Sequence, residues 1–435
     1  MRILLTSAPL HGHILQLVPF SWALRVAGHE VLVAVPEECT PVVRKAGLPA
    51  AGTCEGVTMG QMIGFGRDGT PVPWSADDDR RVRRSGRGFG RLAARTLERT
   101  LRLAERWRPD LVVSEPTEYA GRLAAAATGV PWVEHGWGLP PSPLYQEAAQ
   151  EELAPELAAS GLRRLPAPLL RVDVCPPRIR GADALAPPCP VLPMRYVPHN
   201  GSGPVPDWTR AHRDRPRACV TLGSLPPNRA RPLLEAVVRG LAPAGVEVVL
   251  AMDGEHLRPG ASAGPPVAGV HGVPAVPGAP ATPETPPVPG PGTSEGPGDP
   301  GAQGPPPLPH VLASGWLPLD QVLPACDLVV HHGGPGTTMT AFVHGLPQLV
   351  LPGAQSDTAA YARVVADTGS GHRLDPAEAS AERVEAACRS LLDDPSHRAA
   401  ARSVADDIVQ LPSPAATAAA VVERVLAARE SACAR

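Results

Sequence analysis

Several things are scarce in this chain, and each scarcity excludes something. It has a single lysine, Lys45, among 40 basic residues, and aromatic residues make up only 3%. No apolar run reaches the 18 residues a membrane-crossing helix needs, so none is expected. The opening "MRILLTSAPLHGHI" holds one basic residue and a short apolar run without a small-residue cleavage site. It reads as a first strand, not a signal peptide. The eight cysteines, at 39, 54, 175, 189, 219, 326, 388 and 433, form no CxxC pair and no metal-ligand spacing. Buried or free thiols in a reducing cytoplasm are expected, and no metal site. The formal charge of −3 lacks the basic excess of a polyanion binder. Arginines do cluster at "RRVRRSGRGFGRLAARTLERTLRLAERWRPD", but Leu92, Leu97, Leu101 and Leu103 recur there at roughly helical spacing. With Phe89 and the terminal Trp107 its only aromatics, that stretch predicts an amphipathic surface helix rather than a nucleic-acid stripe. The glycine fingerprint GxGxxG is missing after the first strand, which argues against a classical dinucleotide site.

What is present is alternation. At 435 residues the chain is long enough for two domains. "RILLTS" predicts a strand, "LVPFSWALRVAG" a helix with a glycine stop, and "HEVLVAVP" a second strand. "PEECTPVVRKAGLPA" adds a short helix and an edge, and "PDLVVSEP", "EYAGRLAAAATG" and "VPWVEHG" repeat strand, helix, strand. Strands apolar throughout and separated by helices imply a parallel sheet covered on both faces. The pattern lapses over residues 198–216, rich in Pro, Gly and polar residues, and restarts with "ACVTLGS", "RPLLEAVVRGLAPAG" and "VEVVLAMDG". The expected organisation is an α/β unit over 1–197, a linker over 198–216, a second α/β unit over 217–413, and a closing helix over 414–435. Residues 258–309 interrupt the second unit with Pro, Gly, Ala, Ser and Thr, including about a third of all prolines. Such a segment buries too little apolar surface to offset its ordering entropy, so a disordered insertion is expected. Deleting residues 260–305 should therefore leave nucleotide binding intact; loss of the fold would show the insertion to be structural.

Two turns hold candidate chemistry. "LVVHHGGPGTTMTAFVHGLPQLVLP" places "HHGGPGTT" between a strand and a helix. Glycine there allows close backbone approach, and unpaired first-turn amides suit an anion, usually phosphate; capping alone also accounts for such a turn. In the first unit, "SAPLHGHILQLVPFSWALRVAGHEV" puts His11 and His13 after the first strand. A histidine at a strand's carboxyl end suits a general base near neutral pH. For His11 packing or capping at the turn is the favoured reading; for His13 both readings stand. A base benefits from a carboxylate that fixes its tautomer. Glu115, immediately after the strand in "DLVVSEPTEYAG", is the first choice, while Glu118 suits the start of the next helix.

The whole arrangement resembles the GT-B glycosyltransferases, above all the actinobacterial natural-product enzymes that transfer deoxysugars from nucleotide diphosphate donors. It is carried by "GHILQLVPFSWALRVAGHEV", "RYVPHNGSGPVPDW", "VTLGS", "GWLPLDQVLPACDLVVHHGGPGTT" and "HGLPQLVLP". The resemblance implies two Rossmann-like domains facing each other across a cleft, the first binding the acceptor and the second the nucleotide sugar. It implies His13 as catalytic base and Glu115 as its partner, where the family usually has aspartate. Ser224 then touches phosphate, Trp316 stacks on the nucleotide base with Leu317 beside it, and His332, Gly334, Gly336 and Thr337 form the diphosphate turn. Asp357 and Thr358 fall near the family's pair that holds sugar hydroxyls, with the usual glutamine missing. The implied reaction is a single displacement with inversion, from a dTDP-sugar to a hydroxyl of a hydrophobic small-molecule acceptor. No DxD-type pair is placed against the diphosphate, so metal-independent transfer without a cofactor is expected. The resemblance leaves open a homodimer and an activator protein as partners.

Other readings make different demands. A sugar-nucleotide epimerase of this fold keeps the diphosphate turn but lacks an apolar acceptor cavity, and a non-catalytic partner loses the turn or the base. A nicotinamide enzyme needs the missing glycine fingerprint. Acceptor contacts are expected from loops over 54–90 and 137–165, with Trp74, Trp137 and Tyr145 either lining a pocket or filling core.

Overall fold

The computed structural model describes residues 1–180, 189–223, 227–252, 311–353 and 356–433. The proline-rich segment expected over 258–309 lies outside the described residues. Two wholly parallel sheets carry the fold. The first comprises β1 (Arg2–Thr6), β2 (Glu30–Val35), β3 (Ala50–Gly52), β4 (Leu111–Ser114), β5 (Trp132–His135), β6 (Leu170–Asp173) and β7 (Val191–Pro193), in the order β3-β2-β1-β4-β5-β6-β7. The second comprises β8 (Arg217–Thr221), β9 (Glu247–Leu250), β10 (Val311–Ser314), β11 (Leu328–His331), β12 (Gln348–Val350) and β13 (Gly371–Arg373), in the order β10-β9-β8-β11-β12-β13. The central strands are buried along almost their whole length, as the unbroken apolar runs of "ILLT", "LVVS" and "LVVH" require of a sheet covered on both faces.

Each sheet reverses its strand order at one place: between β1 and β4 in the first, between β8 and β11 in the second. Loops leaving two adjacent strands at such a switch point run in opposite directions and open a crevice at the carboxyl ends. Register puts Thr6 beside Ser114, and Thr221 beside His331. The chain following these four residues is therefore where a ligand site is to be sought.

The opening helix, His11–Val26, starts six residues earlier than the periodicity from Leu17 suggests. Leu10 caps it with an extended backbone and no side-chain bond, while the amides of His13 and Ile14 reach the Leu10 carbonyl. "PLHGHI" carries no Ser, Thr, Asp or Asn to announce that start. His11 and His13 therefore sit inside the first turn of the helix. The helix Pro414–Cys433 returns to the first unit. Its Ala418, Val421 and Val425 share a core with Leu17, Phe20 and Leu24, and Thr417 donates to the Pro193 carbonyl at 2.9 Å.

The arginine-rich stretch lies in one helix, Asp78–Trp107, with Val82, Phe89 and Leu92 buried. Three of its arginines face glutamates of the helix Pro143–Glu152: Arg83–Glu147, Arg87–Glu151 and Arg91–Glu152, each at 2.8 Å. Charge neutralised within the chain is not on offer to a polyanion. The stretch 137–165 is not simply loop, since it holds that helix and a second, Ala154–Ala159. Among the described residues no helix is long and apolar enough to cross a membrane.

Candidate active site

After β4 the chain turns through Glu115, Pro116 and Thr117, and the Glu115 side chain is 1% exposed. Its Oε1 accepts from the amide of Ala8 at 3.2 Å, and its Oε2 from the amide of Thr117 at 2.6 Å. The Thr117 hydroxyl adds 3.2 and 3.0 Å contacts to the two oxygens. His13 Nδ1 stands 3.0 Å from Oε1. Burial pushes the Glu115 carboxyl up, but the His13 charge and hydrogen bond, with the Thr117 and Ala8 amides, outweigh it and hold the group below its ordinary value. An ionised carboxylate at Nδ1 makes Nδ1 the protonated nitrogen and leaves Nε2 with the lone pair. Trp137 packs on the imidazole at 4.3 Å between ring centroids, and Phe89 at 5.8 Å.

Glu118 is a different case. It accepts from the Thr6 hydroxyl and from the amides of Ala120 (2.9 Å) and Gly121 (2.8 Å), closing the start of the helix Ala120–Thr128, and burial raises its pKa. His11 opens its helix with its ring 5.6 Å from Trp316 of the second unit. Burial and the nearby Lys45 charge lower its pKa.

Across the cleft, β11 ends at His331 and the chain runs through His332, Gly333 and Gly334 into the helix Pro335–Val343. No side chain caps this helix. The amides of Gly336 and Thr337 therefore fall among the first-turn donors without intrahelical partners, at the positive end of the helix dipole. Thr338 is the first to bond back, from its amide to the Gly334 carbonyl at 3.0 Å. Gly333 adopts φ +86°, and a Cβ there would stand 2.7 Å from the Thr358 carbonyl oxygen, so strain and space both require glycine. His332 is pushed down to about 4 by burial, opposed by a hydrogen bond to the Thr221 backbone. It is neutral at pH 7, with Nδ1 lacking a partner among the described residues.

Asp357 and Thr358 open the helix Ser356–Asp367. Burial raises the Asp357 carboxyl, and the first opposing influence is the charge of His13, so this second-unit carboxyl lies within electrostatic reach of the first unit's histidine. Thr358 is buried, with its hydroxyl directed to the Gly353 carbonyl at 3.1 Å. Trp316 is half exposed beside His11, and Leu317 packs at the edge of a cluster with Val322 and Leu323. Ser224 lies outside the described residues.

The family model described as "Erythromycin biosynthesis protein CIII-like, N-terminal domain" matches residues 22–223, and its C-terminal counterpart matches 305–424. L-demethylnoviosyl transferase of Streptomyces niveus is 37% identical over 423 residues, covering 96% of this chain and 97% of the relative. The desosaminyl transferase of Saccharopolyspora erythraea that acts on 3-alpha-mycarosylerythronolide B is 27% identical, covering 95% of this chain and 96% of the relative. The chain belongs to the EryCIII-like glycosyltransferases. Among solved structures, the glycosyltransferase SsfS6 of Streptomyces sp. SF2575 in complex with thymidine diphosphate superposes with a TM-score of 0.77 at 36% identity, over 97% of this chain and 99% of that one. The rhamnosyltransferase SpnG with spinosyn aglycone superposes at 0.74 and 30%, over 97% and 100%. The fold is GT-B, and the family is that of natural-product deoxysugar transferases.

The two units of this glycosyltransferase also touch directly. Leu139 donates its amide to the Tyr361 hydroxyl at 2.7 Å, joining the loop that carries Trp137 to the second unit's helix Ser356–Asp367. Thr340 donates to Asn200 Oδ1 at 3.0 Å, and Gly336 lies against the Gln16 amide. Trp137, which sequence leaves between pocket and core, is 7% exposed yet packs on His13. Trp74 is 59% exposed beneath Arg81, and Tyr145 stands 6.1 Å from Phe89. Replacing Tyr361 with phenylalanine leaves the Leu139 amide without its acceptor and should lower unfolding free energy by about 1–3 kcal/mol. Denaturant titration reads this, and an unchanged midpoint would mean that the clasp contributes nothing.

Proposed function

We propose that the protein is an inverting transferase that moves a deoxysugar from a thymidine diphosphate donor to a hydroxyl of a natural-product aglycone. The observation carrying this reading is the His13–Glu115 pair at one switch point, with Asp357 of the other unit within its electrostatic reach and an uncapped helix starting at that unit's own switch point. His13 Nε2 takes the proton of the acceptor hydroxyl as its oxygen attacks the anomeric carbon, and Glu115 stabilises the imidazolium formed. The C–O bond to the diphosphate breaks on the opposite face. Charge growing on the leaving group is met by the amides at Gly336 and Thr337, with His332 and Gly334 beside it. Asp357 and Thr358 stand at the sugar's position, and Trp316 and Leu317 at the base's. SsfS6 in complex with thymidine diphosphate supports the choice of nucleotide.

The test is the anomeric configuration of the product, read by NMR coupling constants. Inversion is expected, and net retention would overturn direct displacement. A thermal-shift panel should rank thymidine diphosphate above uridine diphosphate; the reverse order would overturn the donor choice. With fixed dipoles at the diphosphate, transfer should continue unchanged in excess EDTA, and loss of turnover restored by a divalent ion would show a metal requirement.

A further inference from the structure

His331 precedes the diphosphate turn and belongs to the last position of β11. It is fully buried, like Gln348 on the neighbouring strand β12. The amide of Gly333 donates to His331 Nδ1 at 3.1 Å, and Nε2 lies 2.9 Å from Gln348 Oε1. A neutral imidazole offers one acceptor and one donor. A backbone amide can only donate, so Nδ1 must hold the lone pair and Nε2 the hydrogen, and Gln348 must present its oxygen. The opposite tautomer would set two N–H groups face to face in a dry interior. Burial pushes His331 down to about 3, so the ring is neutral throughout the physiological range. What it grips is the left-handed residue whose path leads to Gly334 and the uncapped helix.

We propose that His331 is a positioning residue of the diphosphate seat: held by Gln348 as the Nε2–H tautomer, it fixes through Nδ1 the amide of Gly333, and so the orientation of the turn carrying His332 and the helix amides. This rests on the reading of that turn as the diphosphate site. The ring touches no ligand position itself, and its effect passes through one backbone amide.

Two substitutions separate this role from mere filling of the core. H331N places a carbonyl oxygen where Nδ1 stood and keeps an acceptor for Gly333. H331Q reaches toward Gln348 and leaves the Gly333 amide unpaired. Thymidine diphosphate, measured by calorimetry, should bind H331N within about threefold of wild type and H331Q about tenfold or more weaker, as expected for one lost hydrogen bond with an orphaned donor. Melting temperatures of the two variants should be alike, since a core-filling residue would make affinity follow stability. Equal affinities for the two variants, or affinities that simply track melting temperature, would overturn the proposal. Long-range ¹⁵N–¹H spectra of the wild-type protein give a reading independent of any variant: the Nε2–H tautomer is expected, and an Nδ1–H signal for His331 would overturn it. If wild-type protein did not bind thymidine diphosphate, the turn assignment would fall, and this proposal with it. If wild type binds, and a bulky residue at Thr337 abolishes binding while the two His331 variants agree, only the role of His331 falls.

Discussion

Replacing His13 with alanine should cut transfer by about 10²- to 10⁴-fold, the range expected for losing a general base, while thymidine diphosphate affinity stays near wild type. The division follows from where the groups sit. His13 belongs to the first unit's opening helix, while the helix proposed to hold the diphosphate belongs to the second. Alanine keeps that helix's propensity and removes one partly exposed ring, so the change should be read in turnover more than in folding. Loss of the ring also unpacks Trp137, which rests on it, and a melting curve separates that effect from the chemistry. Initial rates at saturating donor are the deciding measurement. Turnover within about threefold of wild type would remove His13 from proton transfer and require another base within hydrogen-bond reach of the acceptor.

The parts of this site that local rules control were legible in the sequence. Apolar runs bounded by glycine gave the strands and their parallel pairing, and the chain after β1, β4 and β11 was marked by histidine, glutamate and glycine. The choice between Glu115 and Glu118 also followed from position: the residue leaving the strand faces the crevice, and the next acid closes a helix. Less legible was the start of the opening helix, because Leu10 supplies an extended cap with no polar side chain to signal it. Contacts across the cleft were not legible at all. Tyr361 and Leu139 are 222 positions apart, and neither stands in a motif that carries chemistry. Trp137 reads equally well as core, since burial and packing on a histidine leave the same trace in one sequence. His331 was hidden for another reason: in sequence it reads as the first residue of the turn, and its function depends on Gln348, which is known only once β12 lies beside β11.

The second large effect concerns Glu115, and the substitution to examine is the one that appears most conservative. E115Q keeps the volume but replaces one acceptor oxygen with an NH₂ group, and both carboxylate oxygens of Glu115 already face backbone donors. Ala8 and His13 bond to Oε1; the Thr117 amide bonds to Oε2. Either orientation of the amide therefore sets N–H against N–H in a site that is 1% exposed. If the nitrogen faces Thr117, the turn that holds the residue is pushed away. If it faces His13, the ring must offer Nδ1 as acceptor, and its hydrogen moves to Nε2, the nitrogen that has to take the acceptor's proton. Transfer should fall by about 10²- to 10⁴-fold, as when a triad carboxylate is replaced by its amide, with the donor KM nearly unchanged. The pH dependence has a defined sign. A carboxyl held below its ordinary value in the folded state stabilises the fold above its unfolded pKa and loses that contribution as pH falls through the folded one. Wild type should thus hold this contribution in full only above about pH 4, the unfolded value, and lose it progressively as pH falls from there through the folded one. E115Q should lack that acid-dependent component, because nothing at position 115 is left to titrate. Denaturant midpoints across that range read the difference, and parallel curves for the two proteins would mean that Glu115 is not the ionised partner its hydrogen bonds make it.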